Sequence, residues 1–130
     1  MEIMHLGISS FKIKFKMGTV LVADPYDPKD AGMPFAKEKA DLVTVSCNKK
    51  SHNFVEGITG PVKREELFVV EEEGEYEVGG VEIMALKSDE ENLMMVIREN
   101  GITVCHLGVL SEMLSEKQIE VIGSVDVLLL

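Results

Sequence analysis

The chain has 130 residues, enough for a single domain (1–130) with a packed core. Hydrophobic residues make up 45% of it and charged residues 28%, which excludes an intrinsically disordered chain. Its formal net charge of −10 opposes attraction to phosphate backbones and anionic lipid, so neither nucleic acid nor membrane is expected as a partner.

With no Trp and eight Met, the core is expected to rest on Val, Ile, Leu and Met. Two cysteines, Cys47 and Cys105, are too few for a secreted disulfide scaffold. No basic-then-apolar leader and no run of membrane-span length is read, so a cytoplasmic protein with reduced thiols is expected.

In chain order, residues 2–6 and 10–15 read as strands. The second alternates Phe11, Ile13 and Phe15 with Lys12, Lys14 and Lys16. The lysine stripe reads as a solvated strand edge that discourages aggregation. Gly18 turns the chain into TVLVA (19–23), a short buried strand. Asp24-Pro25 then opens DPYDPKDAGMP, a loop too broken for helix or strand. Residues 42–45 are apolar or β-branched and form a strand that breaks at Ser46 into small, polar and basic residues ending at His52. A buried strand opening into a polar loop is where α/β folds commonly place ligands.

HNFVEGITG offers a turn or short helix, and 66–70 is a further strand. Glu71–Glu73 reads as a solvated edge, and Gly79-Gly80 as a hairpin turn into a strand at 81–86. Asn100-Gly101 is the strongest short turn signal, joining strands 93–98 and 102–106. Residues 114–122 are the best helix, with Ser115 able to cap it and Gly123 to stop it. VDVLLL (125–130) is a short apolar strand. Burying each of its large side chains is worth roughly 1.5–3 kcal/mol, so it is expected to pack inward, be covered by a second subunit, or lie within a longer protein.

The stretch LVTVSCNKKSHN (42–53) is similar to the metal-binding loop of the metallo-β-lactamase fold hydrolases, where a strand runs into His-x-His-x-Asp-His. Under that likeness the first His falls on Cys47, the second on Lys49, the Asp on Ser51 and the last His on His52. Four further stretches resemble the family: IMHLGISSFKIK its opening strand pair, and VLVADPYDPKDAG its Asp-Pro loop. GEYEVGGVEI resembles a hairpin of its small zinc-dependent hydrolases, and NGITVCHLGVLSEMLSEKQIEVIGSVDVLLL its strand, His-Leu-Gly-Asp, helix and apolar strand. The resemblance implies an α/β fold of mostly antiparallel or mixed sheets with few helices, like the N-terminal part of the αββα sandwich. It implies zinc as the cofactor, and further elements with a last metal-binding His beyond residue 130.

Residue types depart from the ligand pattern. A ligand His is expected where Ser88 stands, and a ligand Asp where Val109 follows His106-Leu107-Gly108. Cys47, Lys49, Ser51, His52, Ser88 and Val109 thus read as vestigial metal-site positions, with His52 alone keeping its ligand type and no metal or other cofactor expected. His106 reads as a strand-end histidine bonded to the backbone. Cys47 near Lys49, Lys50 and His52 is the one candidate nucleophile, with His52 as base, since nearby cations lower a thiol pKa. The leading reading is a non-catalytic binding or scaffolding protein and a homo-oligomer, a dimer or larger, covering the last strand. The alternative is a hydrolase with a noncanonical metal site or a Cys47-dependent activity.

Overall fold

Alternation with period two puts Ile13 of the second strand and Phe15, just past its end, on one side, and both are buried in the computed structural model, which describes residues 1–62 and 65–130. Among the described residues, ten strands form two five-stranded sheets. The first sheet has the order β1 (Glu2–Gly7), β2 (Ser10–Lys14), β3 (Val20–Ala23), β4 (Leu42–Thr44) and β5 (Phe68–Val70). β1 to β3 pair antiparallel, while β4 and β5 add in parallel, each reached through a long connection. The second sheet runs β6 (Gly74–Val78), β7 (Val81–Lys87), β8 (Leu93–Glu99), β9 (Ile102–His106) and β10 (Val127–Leu129), in the spatial order β10-β9-β8-β7-β6.

One core cluster joins the sheets face to face: Ile13, Leu21, Ala23, Leu42 and Val70 from the first meet Ile83, Ala85, Met95, Ile97 and Val104 from the second. Each outer face carries its own apolar cluster. Val20, Val22, Val43 and Val45 pack under the connections of the first sheet, and Met94, Val96 and Cys105 under helix α2 (Glu116–Ile122) through Ile122. β8 is therefore buried on both faces, which accounts for its unbroken apolar run from Leu93 to Ile97.

Asn100 and Gly101 both have positive φ, 52° and 79°, the backbone that a two-residue hairpin between β8 and β9 requires. Ser115 caps α2 in a reciprocal capping box with Gln118, whose side-chain amide also donates to the carbonyls of Lys87 and Ser88. The helix starts after its cap, two residues later than the apolar pattern suggests.

Three expectations are corrected. The lysine stripe lies on β2, an internal strand between β1 and β3, and Lys12 forms an ion pair with Glu38. The Asp-Pro loop holds a one-turn helix, α1 (Pro28–Ala31), capped by Asp27 and stopped by Gly32 at φ 65°. Glu71–Glu73 are exposed as expected, but they join β5 to β6 and border a cleft instead of forming a sheet edge. The last strand packs into the chain's own sheet: β10 pairs in parallel with β9, burying Leu129 and leaving Leu128 exposed.

Candidate functional site

The register of the parallel strands sets Ala23 beside Thr44 and Thr44 beside Val70, so β3, β4 and β5 end together. β9 of the facing sheet ends at His106 on the same side. The residues at or just past these ends are polar and buried: Asp24, Ser46 and His106 have 0%, 2% and 0% exposure.

Asp24 adopts φ 45°, a left-handed backbone that Asp tolerates better than most side chains, and its N–H donates to the Thr44 carbonyl at 2.8 Å. Its Oδ1 accepts from the Ser46 N–H at 2.7 Å. Its Oδ2 accepts from the Ser46 hydroxyl at 2.6 Å and the Ser9 hydroxyl at 3.3 Å. His106 Nε2 stands 3.9 Å from the same Oδ2, near enough for charge but not for a hydrogen bond. The edge-on ring of Phe11 lies against the imidazole, centroids 5.6 Å apart.

Burial dominates the ionisation of the pair. It pushes the Asp24 carboxyl up to about 7, against the pull of the Ser46 and Ser9 donors. It pushes His106 down to about 4, partly offset by the main chain of Ser9 and reinforced by His52. That main chain lies outside hydrogen-bond geometry, and neither ring nitrogen of His106 has a partner among the described residues. The backbone bond expected for His106 is thus not formed.

The loop from Ser46 to His52 folds on itself. Lys49 accepts at its carbonyl from the N–H groups of His52 and Asn53, at 2.8 and 3.0 Å, and the Ser51 hydroxyl lies 2.6 Å from His52 Nδ1. Burial and the Lys49 ammonium both lower the pKa of His52. Cys47 is buried, and burial followed by the Asp24 charge pushes its thiol up, outweighing Lys49. That is the reverse of what the nearby cations suggest in sequence.

Ser88 and Val109 meet at a residue that sequence reasoning passed over. Asn92 donates through Nδ2 to the Ser88 hydroxyl at 2.8 Å and the Leu107 carbonyl at 2.9 Å, and accepts at Oδ1 from the Val109 N–H at 2.7 Å. Gly108, at φ 62°, is required where this knot touches the first sheet, since a Cβ there would stand 2.4 Å from Asn92 Oδ1 and 2.5 Å from Ser46 Cβ. Cys47 and Lys49 line a cleft of about 950 Å³ with Ser46, Asn92, Glu71–Glu73, Glu90, Glu91 and Lys87.

Zinc needs about three N, O or S ligands from the protein with a position open for water. Among the described residues, no three His, Cys, Asp or Glu side chains stand together as such a site requires. The Asp24 oxygens are taken by hydroxyl and amide donors, and a lysine occupies the second loop position. This donor set does not fit the metal centre that the resemblance implies.

The family model described as "Beta-lactamase superfamily domain" matches residues 2–130. The chain belongs to this superfamily. A Thermotoga maritima protein assigned as a zinc-dependent hydrolase of the metallo-β-lactamase superfamily is 33% identical, with a TM-score of 0.79 over 97% of this chain. The chain spans only 58% of that protein. CmlA, a diiron β-hydroxylase from Streptomyces venezuelae, shares the fold at 17% identity and TM-score 0.66, over 97% of this chain and 33% of its own. A Parabacteroides distasonis protein assigned as a metal-dependent hydrolase does so at 13% and 0.58, over 82% of this chain and 59% of its own. No curated protein matches the chain.

The superfamily fold brings together, at its strand ends, residues that are far apart in sequence. Asp24 and Ser46 carry one sequence signal, their position: each follows a short apolar stretch, TVLVA (19–23) and LVTV (42–45).

Proposed function

We propose that this chain is a binding member of the β-lactamase superfamily that works without a bound metal. The observation that carries the reading is the donor set at the strand ends. Lys49, Ser51, Ser88 and Val109 offer none of the usual zinc-ligand side chains, and both Asp24 oxygens already accept hydrogen bonds from Ser46, one of them from Ser9 as well. A lysine ammonium beside the loop also repels a cation electrostatically. The hydrogen bonds of Asp24 and Asn92 tie the strand-end loops together through protein groups, which supports this reading.

The cleft beside this knot is the surface offered to a partner. Five glutamates border it against Lys49 and Lys87, a balance that favours a cationic ligand over an anionic one. A cytoplasmic setting accords with two buried, unpaired cysteines. Among the described residues, no helix is long and apolar enough to cross a membrane.

Elemental analysis of purified protein, followed by calorimetric titration with zinc, tests the reading. The expected result is far less than one equivalent of zinc, iron or manganese and no saturable zinc binding. A stoichiometric metal that is lost in His52→Ala would overturn it and favour a noncanonical hydrolase.

A further inference from the structure

We propose that the open edge of β6 docks an extended basic segment of a partner protein, which adds as a further strand to the second sheet. Among the described residues the two sheets leave four edge strands, β1 and β5 on the first, β6 and β10 on the second. Three of these are poor templates. β5 and β10 are three residues long, and β1 loses its register in an irregularity between His5 and Gly7. β6 has five residues, contains no proline, and pairs with β7 in unbroken register from Gly74 opposite Ala85 to Val78 opposite Val81. Among the described residues, no second strand and no further backbone hydrogen bond reaches its outer side. Alternate residues of β6 therefore turn N–H and C=O groups outward, free to form a ladder.

The side chains along this edge set the chemistry of the occupant. Glu75 and Glu77 are exposed, while Tyr76 and Val78 turn toward the core, and the ring of Tyr76 meets that of Phe68 on β5 with centroids 5.9 Å apart. Glu77 stands directly opposite Glu82 of β7, a like-charge pair that is destabilising by itself. Arg98 of β8 is in register with Glu82 from the other side, yet its guanidinium donates to the Ile122 carbonyl at the end of α2. Among the described residues, no ion pair reaches Glu75, Glu77 or Glu82. The three carboxylates line a groove of about 390 Å³ together with Met84 and Arg98.

A strand paired beyond β6 places residues about 5 Å from Glu75 and Glu77 on that face. Lys or Arg at those alternate positions would neutralise both carboxylates and offset the repulsion between Glu77 and Glu82. The residues between them fall on the side of Tyr76 and Phe68, where apolar or β-branched side chains fit. The occupant is thus a chain that alternates basic and apolar residues. A second copy of β6 does not meet this demand, because a twofold axis would set its glutamates against these. In spatial order β6 lies three strands from β9 and His106, so its occupancy is independent of any metal at the strand-end site.

Fluorescence anisotropy with a labelled octapeptide alternating Arg and Val, joined to hydrogen exchange of the intact chain with and without it, tests this. The peptide should bind saturably and protect residues 74–78, leaving β1 and the cleft loops 46–53 and 88–92 unchanged. N-methylation of the peptide backbone keeps its charge but removes its donors to β6, and should weaken binding about 10-fold. Glu75→Gln combined with Glu77→Gln should also weaken it about 10-fold, whereas Glu112→Gln combined with Glu120→Gln, at exposed positions elsewhere, should not. Absence of saturable binding overturns the proposal. Equal binding by the N-methylated peptide shows attraction by charge alone and overturns strand addition. Protection of the cleft loops instead of 74–78, or equal loss in both pairs of glutamate variants, overturns the choice of edge. Protection of 74–78 that rises with the concentration of the chain alone gives the edge to a second copy and overturns the basic partner.

Discussion

Replacing Asp24 by Asn should make the fold sensitive to acid where the natural chain resists it. The carboxyl is raised from 3.8 to about 7 in the folded state, so the folded protein holds its proton more tightly than the unfolded chain. Its contribution is present in full below pH 3.8 and is lost as pH rises through about 7. Three pKa units correspond to about 4 kcal/mol in full, about 3 of it between pH 7 and pH 4. His106 has the opposite sign. Lowered from 6.5 to about 4, it contributes stability above pH 6.5 that is lost as pH falls toward 4, again about 3 kcal/mol. In the natural chain the two nearly cancel on global unfolding, because the folded state gains a proton on Asp24 as the unfolded chain gains one on His106. Asn leaves the His106 loss uncompensated while keeping an oxygen for the Ser46 N–H. Urea titrations followed by far-UV circular dichroism at pH 4, 5, 6 and 7 measure both proteins. The natural chain should gain about 3 kcal/mol on Asp24→Asn between pH 7 and pH 4. A stability difference that stays constant with pH would refute the assignment of the proton to the carboxyl.

Gly108→Ala should cost about 3 kcal/mol, from a left-handed backbone and a Cβ driven into Asn92 and Ser46, and chemical denaturation giving under about 1 kcal/mol would contradict that contact. Cys47 should react with a thiol reagent at pH 7 more slowly than a free thiol, since burial and the Asp24 charge both raise it. Fast labelling at pH 6, abolished in Lys49→Ala, would restore it as a nucleophile. β10 pairs only with β9 among the described strands and exposes Leu128, so sedimentation is expected to show a mass above 14.4 kDa that Leu128→Lys reduces. A natural chain sedimenting at 14.4 kDa at high concentration would rule the association out.

Much of the fold was legible because its signals are local. The alternation in residues 11–15, the Asn100-Gly101 turn and the Ser115 cap each act within a few residues, and each forms where the pattern puts it. The lysine stripe misled because alternation tells which side chains share a face, not whether the strand lies at an edge. α1 escaped notice because an Asp cap, a Pro and a terminal Gly in so short a stretch read equally well as a loop. At the site, the departures at Lys49, Ser51, Ser88 and Val109 could be seen by residue type alone. What takes their place could not. Asp24, Ser46 and His106 lie at the ends of three strands from two sheets, and no spacing in the sequence connects them.

That hidden arrangement bears on how the strand ends of this superfamily fold can be held by protein groups. A cation at the strand ends would cross-link loops from both sheets, and losing its ligands one by one would leave those loops mutually repelling or unpaired. Here Asp24 joins Ser9 and Ser46 within the first sheet, Asn92 joins Leu107 and Val109 within the second, and Gly108 lets the two meet. Each link is a neutral or charge-assisted hydrogen bond of modest net worth, about 1 kcal/mol or somewhat more, yet costly to leave half made. Such a knot favours retention as a unit. Introducing a single ligand, as in Val109→Asp, would add a half-buried carboxylate beside the Asn92 knot with no metal to neutralise it. On the proposed metal-free reading, a metal site would therefore need several simultaneous changes, with Lys49 and Ser88 altered alongside Val109, rather than one.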